Sequence, residues 1–453
     1  MTPTPTIDRS KVKALMQQEQ QRFAEAHPRS LELYRRAQNS LLAGVPMHWM
    51  TRWPGGFPLF VDEARGATFR DVDDLEYIDL CLGDTGAMTG HSPAAALPGI
   101  MAQLQKGITT MLPSENAFWV AEELQRRFGL KYWQFALSAT DANRFALRLA
   151  RAITARPKVL VFHGCYHGTV DEAYAWLVDG KPASRPGNIG PQVDPTLTTK
   201  VVEWNDPEAL EEALRPGDVA AVLAEPVMTN VGIVQPAPGF HQTLRELTRR
   251  YGTLLILDET HTLSAGPGGY TRAHGLEPDI LTVGKPLGSG IPSAAYGFSE
   301  EVGQQAQRVI QPPYADTGGI GGTLAANALS LAAMRATLEH VLTEAAYRHM
   351  IALGEQLEAE VRGVMERYHL PWHVTRVGCR VEYLFRPNPA QNGSEALAGQ
   401  DPDLDPFIHL FMLNRGILLT PFHNMALISP ETTPAQVRRH TEVFEEAVRA
   451  LIS

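Results

Sequence analysis

Apolar residues fall into two rhythms along this chain. Short runs, among them Val159–Phe162, Val219–Ala224, Leu254–Leu257 and Ile280–Val283, the last interrupted by Thr282, are too brief for helices and suit strands buried on both faces. Between them lie stretches with helical spacing. One opens at Asp141 and carries Phe145, Leu149 and Ile153 on one face, a short one lies between the strands at 199–203 and 219–225, and another spans 238–251. Strand and helix alternate from 135 to 285, which predicts an α/β fold with a mostly parallel sheet covered on both sides.

Outside that block the rhythm changes. Residues 1–7 read as a loose end, 8–26 as a polar helix stopping before His27-Pro28, 30–43 as a second helix, and 45–58 as an irregular aromatic stretch. Strand-like pieces follow near 59–61 and 77–80, and the Pro-, Gly- and Asp-rich stretch 178–198 reads as a long loop. Beyond the block, helical patterns at 324–348 and 353–368 precede strands near 373–385. A polar loop at 386–405, a helix from Pro406, a strand at 417–420 and a helix at 434–451 complete the chain. The expected division is an N-terminal segment 1–80 joining a smaller α+β domain, a large domain 81–328, and a C-terminal part 329–453 of the small domain.

Composition narrows the function. Hydrophobic residues make up 44% and charged residues 20%, enough to build a core. The net charge of −10, with no basic tract to offset it, argues against nucleic-acid binding. Cys81, Cys165 and Cys379 are too far apart for a disulfide framework or a zinc spacing. No signal-peptide core and no long apolar run is present, so a cytoplasmic protein with no membrane partner is expected.

Candidate chemistry sits at the ends of two of the predicted strands. The run Leu254–Leu257 ends on Asp258 and Glu259, and the run Ile280–Val283 ends on Gly284-Lys285-Pro286. The carboxyl edge of a parallel sheet is where ligands bind, and a charge there is costly without a partner. Pyridoxal 5′-phosphate (PLP) accounts for both charges, since it forms a Schiff base with a lysine and needs an acid beside its ring nitrogen. The pattern also admits a plainer account, a surface lysine after a strand and an acid in a turn. A P-loop is excluded because Lys285 is followed by proline. His163, Cys165 and His167 lie close together, but no acid completes a metal set, and none is expected. Ser138-x-x-Asp141 has capping-box spacing, so a helix start with free amides is expected there, suited to an anion.

The run D-E-x-x-T from Asp258 to Thr262, followed by G-G-Y-x-R-A-H-G-x-x-P-D-I-L-T-x-G-K-P-L-G-x-G-x-P, resembles the class III aminotransferases of PLP fold type I, nearest the glutamate-1-semialdehyde aminomutase branch. The resemblance extends from about residue 40 to the C-terminus. It implies a seven-stranded large-domain sheet, a small domain built from both termini, and a homodimer with shared active sites. It implies Lys285 and Asp258 as catalytic residues, with Lys285 carrying the cofactor, and Thr260 packing on the ring where relatives usually have valine. It implies that Ala139 and Thr140 bind the phosphate, although the family's S-G-[TS]-E-A reads Ser138-Ala139-Thr140-Asp141-Ala142 here. Tyr166 of G-x-Y-H-G would stack on the ring, with His167 beside it read as a turn residue. Glu225 and Asn230 match E-P-x-x-x-N, with Asn230 toward the ring oxygen, and Thr323 would reach the neighbouring subunit's phosphate. His261 stands where relatives often have glutamine, and its role is left open.

The substrate is less defined. Relatives that act on amino acids often hold a carboxylate with an arginine in the segment matching 44–50, which here reads GVPMHWM with His48 or Trp49 at the place. A second, C-terminal arginine is also missing from Thr420-Pro421-Phe422-His423. Arg52 and Arg380 are the substitutes. Thr85 replaces a frequent aromatic, and Trp49, Trp53 and Phe422 suggest an apolar pocket. The expectation is a transaminase passing an amino group from an apolar or aromatic amine to a keto acid. The alternatives are an amino-acid transaminase (aromatic, D- or β-amino acid) and a glutamate-1-semialdehyde-type aminomutase.

Overall fold

The computed structural model describes residues 7–189, 193–311, 315–421 and 423–452. The chain forms two compact units. One comprises residues 94–347 and 390–398; the other comprises residues 1–93, 348–389 and 399–453.

The large unit is built on a seven-stranded sheet. Its strands are β1 (Tyr132–Ala136), β2 (Lys158–Phe162), β3 (Thr199–Val202), β4 (Val219–Ala224), β5 (Leu254–Asp258), β6 (Ile280–Val283) and β7 (Ala294–Phe298), in the spatial order β1-β7-β6-β5-β4-β2-β3. Only β7 runs against its neighbours; β6, β5, β4, β2 and β3 pair in parallel. Alternation along each strand divides the core in two. Val159, Val161, Ala221, Leu223 and Ile256 join one buried cluster with helix α1 (Ala139–Thr154), whereas Leu160, Phe162, Val222, Leu255 and Leu257 join another with helices α2 (Pro207–Leu214) and α3 (Phe240–Arg250). Side chains two apart share a face, so an unbroken apolar run is what a strand covered on both sides requires.

The small unit holds a four-stranded sheet of Val61–Arg65, Thr68–Asp71, Glu76–Asp79 and Ile417–Leu418, and a three-stranded sheet of His373–Val377, Arg380–Leu384 and Met425–Leu427. The N-terminal helix Arg9–Ala26, capped by Asp8 on the Ser10 amide, packs on the helix Leu404–Leu413, and Arg415 reaches the buried Glu19 at 3.0 Å. Ends distant in sequence thus complete one fold.

Two expectations are corrected here. The stretch 178–198 is not all loop: Ala175–Val178 and Lys181–Ser184 pair as an antiparallel hairpin. Asp179 and Gly180 turn it with φ of 51° and 73°, the left-handed pair that a two-residue hairpin turn needs. The helical stretch 324–348 is broken: one helix ends at His340, and another runs from Glu344 to Arg367. Thr343 restarts it by accepting from the Ala346 amide at 3.2 Å.

Candidate active site

The register of the parallel strands brings the two charges together. Asp258 ends β5 opposite Thr282 of β6, and Lys285 follows three residues later. Asp258 continues the face of Ile256, toward α1, whereas Glu259 turns the other way. The two acids therefore have separate fates. Glu259 is buried, accepts from the Tyr270 amide at 3.1 Å, from the Thr271 amide and from Thr262 Oγ1, and so closes its own loop.

Asp258 belongs to a polar chain across the sheet. Thr282 Oγ1 donates to Asn143 Oδ1 at 2.6 Å, Asn143 Nδ2 donates to Asp258 Oδ2 at 2.8 Å, and His167 Nδ1 donates to the same oxygen at 3.0 Å. The other oxygen accepts the Thr260 amide at 3.1 Å. All five residues are buried. Burial by itself would raise Asp258, but the hydrogen bond and positive charge of His167 outweigh it and hold the carboxyl below its usual range. Burial likewise opposes charge on His167, and the Asp258 carboxylate overrides it and pushes the imidazole up. The pair is thus a buried ion pair. His167 is more than a turn residue, which corrects that part of the expectation. Asn143 was missed altogether, although a polar residue among the apolar positions Ala142, Phe145 and Ala146 of an amphipathic helix is a visible signal.

The start of α1 faces the same edge. Ser138 caps it by accepting from the Asp141 amide at 3.2 Å, and Thr140 Oγ1 accepts from the Thr169 amide at 3.1 Å. Two glycines close tightly on this turn: a Cβ on Gly168 (φ 76°) would lie 2.0 Å from Thr140 Oγ1, and one on Gly284 would lie 3.0 Å from Ala139 Cβ. Tyr166 is half-buried, with its ring centroid 6.3 Å from that of Tyr174 on the hairpin segment. Asn230 Nδ2 donates to Gly164 O at 2.8 Å. Lys285 has φ 42°, and its Nζ lies 2.9 Å from His261 Nε2. Thr323 stands in an exposed turn.

Glu225 is buried and accepts from the Thr229 amide and hydroxyl. Burial pushes it up to about 7, against the opposing His167 charge. A carboxyl raised above its ordinary 4.5 holds more protons folded than unfolded; its stabilising contribution is full below 4.5 and lost as pH rises through about 7. Glu225→Gln should therefore remove a fall in stability on the order of 3 kcal/mol between about pH 5 and about pH 8. Urea unfolding of the cofactor-free proteins across that range checks this; a constant difference between the two would count against it.

The substrate candidates His48, Trp49, Arg52, Trp53 and Thr85 all lie in the small unit. His48–Arg52 form a single 3-10 turn on which His48 and Arg52 are exposed, and Trp53 lies 5.5 Å from the His409 ring. Thr85 accepts from Arg380 Nη1 at 3.2 Å, and Arg380 is 1% exposed. The neighbourhood of Thr85 is thus occupied by a guanidinium. Phe422 lies outside the described residues. Among the described residues, no group of His, Cys, Asp and Glu is placed to hold a metal, and no helix is long and apolar enough to cross a membrane.

The large-unit residues suit PLP. They offer a primary amine, a buried carboxylate fixed as an anion, a capped helix start for a phosphate, and the buried Thr260 Oγ1 with no hydrogen-bond partner. Comparison with known proteins agrees. The family model for aminotransferase class-III matches residues 49–448. A glutamate-1-semialdehyde 2,1-aminomutase of Sorangium cellulosum is 34% identical over 94% of this chain and 98% of its own. The crystal structure of a glutamate-1-semialdehyde-aminomutase from Pseudomonas aeruginosa PAO1 superposes with a TM-score of 0.96 at 51% identity, covering 98% and 99% of the two chains. An omega-transaminase from Sphaerobacter thermophilus gives a TM-score of 0.86 at 29% identity, covering 94% and 98%. The chain belongs to the class-III aminotransferases and is a PLP-dependent enzyme of fold type I.

Proposed function

We propose that this enzyme moves an amino group between adjacent carbons of a small amino aldehyde, as a glutamate-1-semialdehyde 2,1-aminomutase does. The observation that carries this reading is the 51% identity over 98% of the chain to the Pseudomonas protein of that name. It favours the aminomutase alternative over the amine-to-keto-acid transaminase expected first.

Bound PLP supplies an aldehyde carbon that takes up the amino group and a ring that withdraws electrons from the carbon losing a proton. The chain's residues divide the remaining work. Lys285 takes the proton from one substrate carbon and returns it to the other. Asp258, kept anionic by His167 and Asn143, holds a proton on the ring nitrogen. The Ala139 and Thr140 segment binds the phosphate at the start of α1. Tyr166 and Thr260 would hold the ring, and Glu225 and Asn230 would serve its oxygen-bearing edge.

The test is to supply glutamate-1-semialdehyde to the holoenzyme and measure 5-aminolevulinate, in parallel with a panel of amines and amino acids given with pyruvate or 2-oxoglutarate. Formation of 5-aminolevulinate without an added donor supports the mutase. Turnover of 1-phenylethylamine or an aromatic amino acid, with none of the semialdehyde, overturns it. The second outcome has its own support in the segment 44–50, which lacks the arginine that clamps a carboxylate in many relatives.

The enzyme is also proposed to be a homodimer. In the large unit, Met101, Met111, Leu112, Phe118 and Leu324 are each more than half exposed, an apolar surface suited to a second copy. An active monomer in sedimentation at assay concentration would refute it.

A further inference from the structure

Of the histidines at this sheet edge, His163 accepts the Leu177 amide and His167 is engaged by Asp258. His261 has its Nε2 2.9 Å from Lys285 Nζ. The register accounts for the meeting. Asp258 and Thr282 are direct partners on the parallel strands β5 and β6, and His261 and Lys285 each follow three residues beyond them. They leave the sheet at the same height on neighbouring strands.

We propose that His261 is a positioning residue that holds the Lys285 amine whenever it is not covalently joined to the cofactor. Two features support this beside the 2.9 Å contact. Lys285 has φ 42°, a left-handed conformation that a non-glycine residue keeps only when its surroundings hold it. Imidazole can also serve the amine in either protonation state. Its Nε2 lone pair accepts an N–H from the ammonium, and in the other tautomer Nε2–H donates to the neutral amine's lone pair. The lysine therefore keeps one partner before and after it takes the substrate proton, and the four-carbon side chain need not search for its place each time. Glutamine has both a donor and an acceptor and a similar reach.

The proposal rests on PLP dependence but not on the choice between mutase and transaminase. Its first readout needs no substrate: the rate at which the apoenzyme captures added PLP covalently, followed by absorbance. Its second is the primary isotope effect in a single turnover with an α-deuterated donor from the panel above. His261→Leu, checked for native circular dichroism, should bind PLP to full stoichiometry but capture it about tenfold or more slowly, because a mispositioned reacting group is costly. Its isotope effect should rise as proton transfer becomes more limiting. His261→Gln should restore both. Should the leucine variant fail to fold, His261→Asn, whose amide falls short of Nζ, must show the same losses. Wild-type capture rate and isotope effect in the leucine or asparagine variant overturn the proposal. So does a glutamine variant as impaired as leucine, because the ring would then act through packing.

Discussion

Lys285→Ala is expected to leave a folded protein with almost no turnover. The substitution removes the amine proposed to join PLP and to move the substrate proton, and proton transfer by a placed side chain alone is worth about 10²- to 10⁴-fold. The structural loss is small by comparison. The Nζ contact with His261 is partly buried, and one such hydrogen bond contributes about 1 kcal/mol. Alanine would keep the strain of φ 42° without adding bulk. The purified variant should therefore match wild type in circular dichroism and lack the absorbance of covalently attached PLP. Turnover near the wild-type rate would remove Lys285 from the mechanism.

Asp258→Asn should be the second most damaging change, costing about a hundredfold or more in rate, as loss of a preorganised charge partner does. The exchange nearly preserves volume, yet it cannot preserve the hydrogen bonds. Asp258 Oδ2 accepts from Asn143 and His167 while Oδ1 accepts the Thr260 amide. An asparagine must present its NH₂ group to one of these donor sets and leave a buried donor unpaired, a cost of about 1–3 kcal/mol. His167 would also lose the carboxylate that favours its charged form and so become neutral more readily. The expected signature is a folded variant that binds PLP but turns over slowly. A normal rate would refute the pairing of Asp258 with the ring nitrogen.

Neighbouring residues were enough to reveal much of this enzyme. The apolar runs marked the buried strands because a strand covered on both faces needs them, and the cap at Ser138 marked the start of α1 because its donor and acceptor are three residues apart. Asp258 and Lys285 were legible for a similar reason: each ends an apolar run, where a charge is conspicuous. The Asp179-Gly180 turn carried its own local signal, which the surrounding Pro- and Gly-rich composition obscured. Tertiary structure decided how these pieces meet. Asp258 and Glu259 are adjacent in the chain, and only the packing of α1 against one face and the loop 259–271 against the other gave the first a histidine and an asparagine and the second its own backbone amides. Asn143, His167 and His261 acquired partners 115, 91 and 24 residues away. Those distances are bridged by strand register and crossover packing, which arise from burial summed over the whole sheet, so no stretch of sequence contains them.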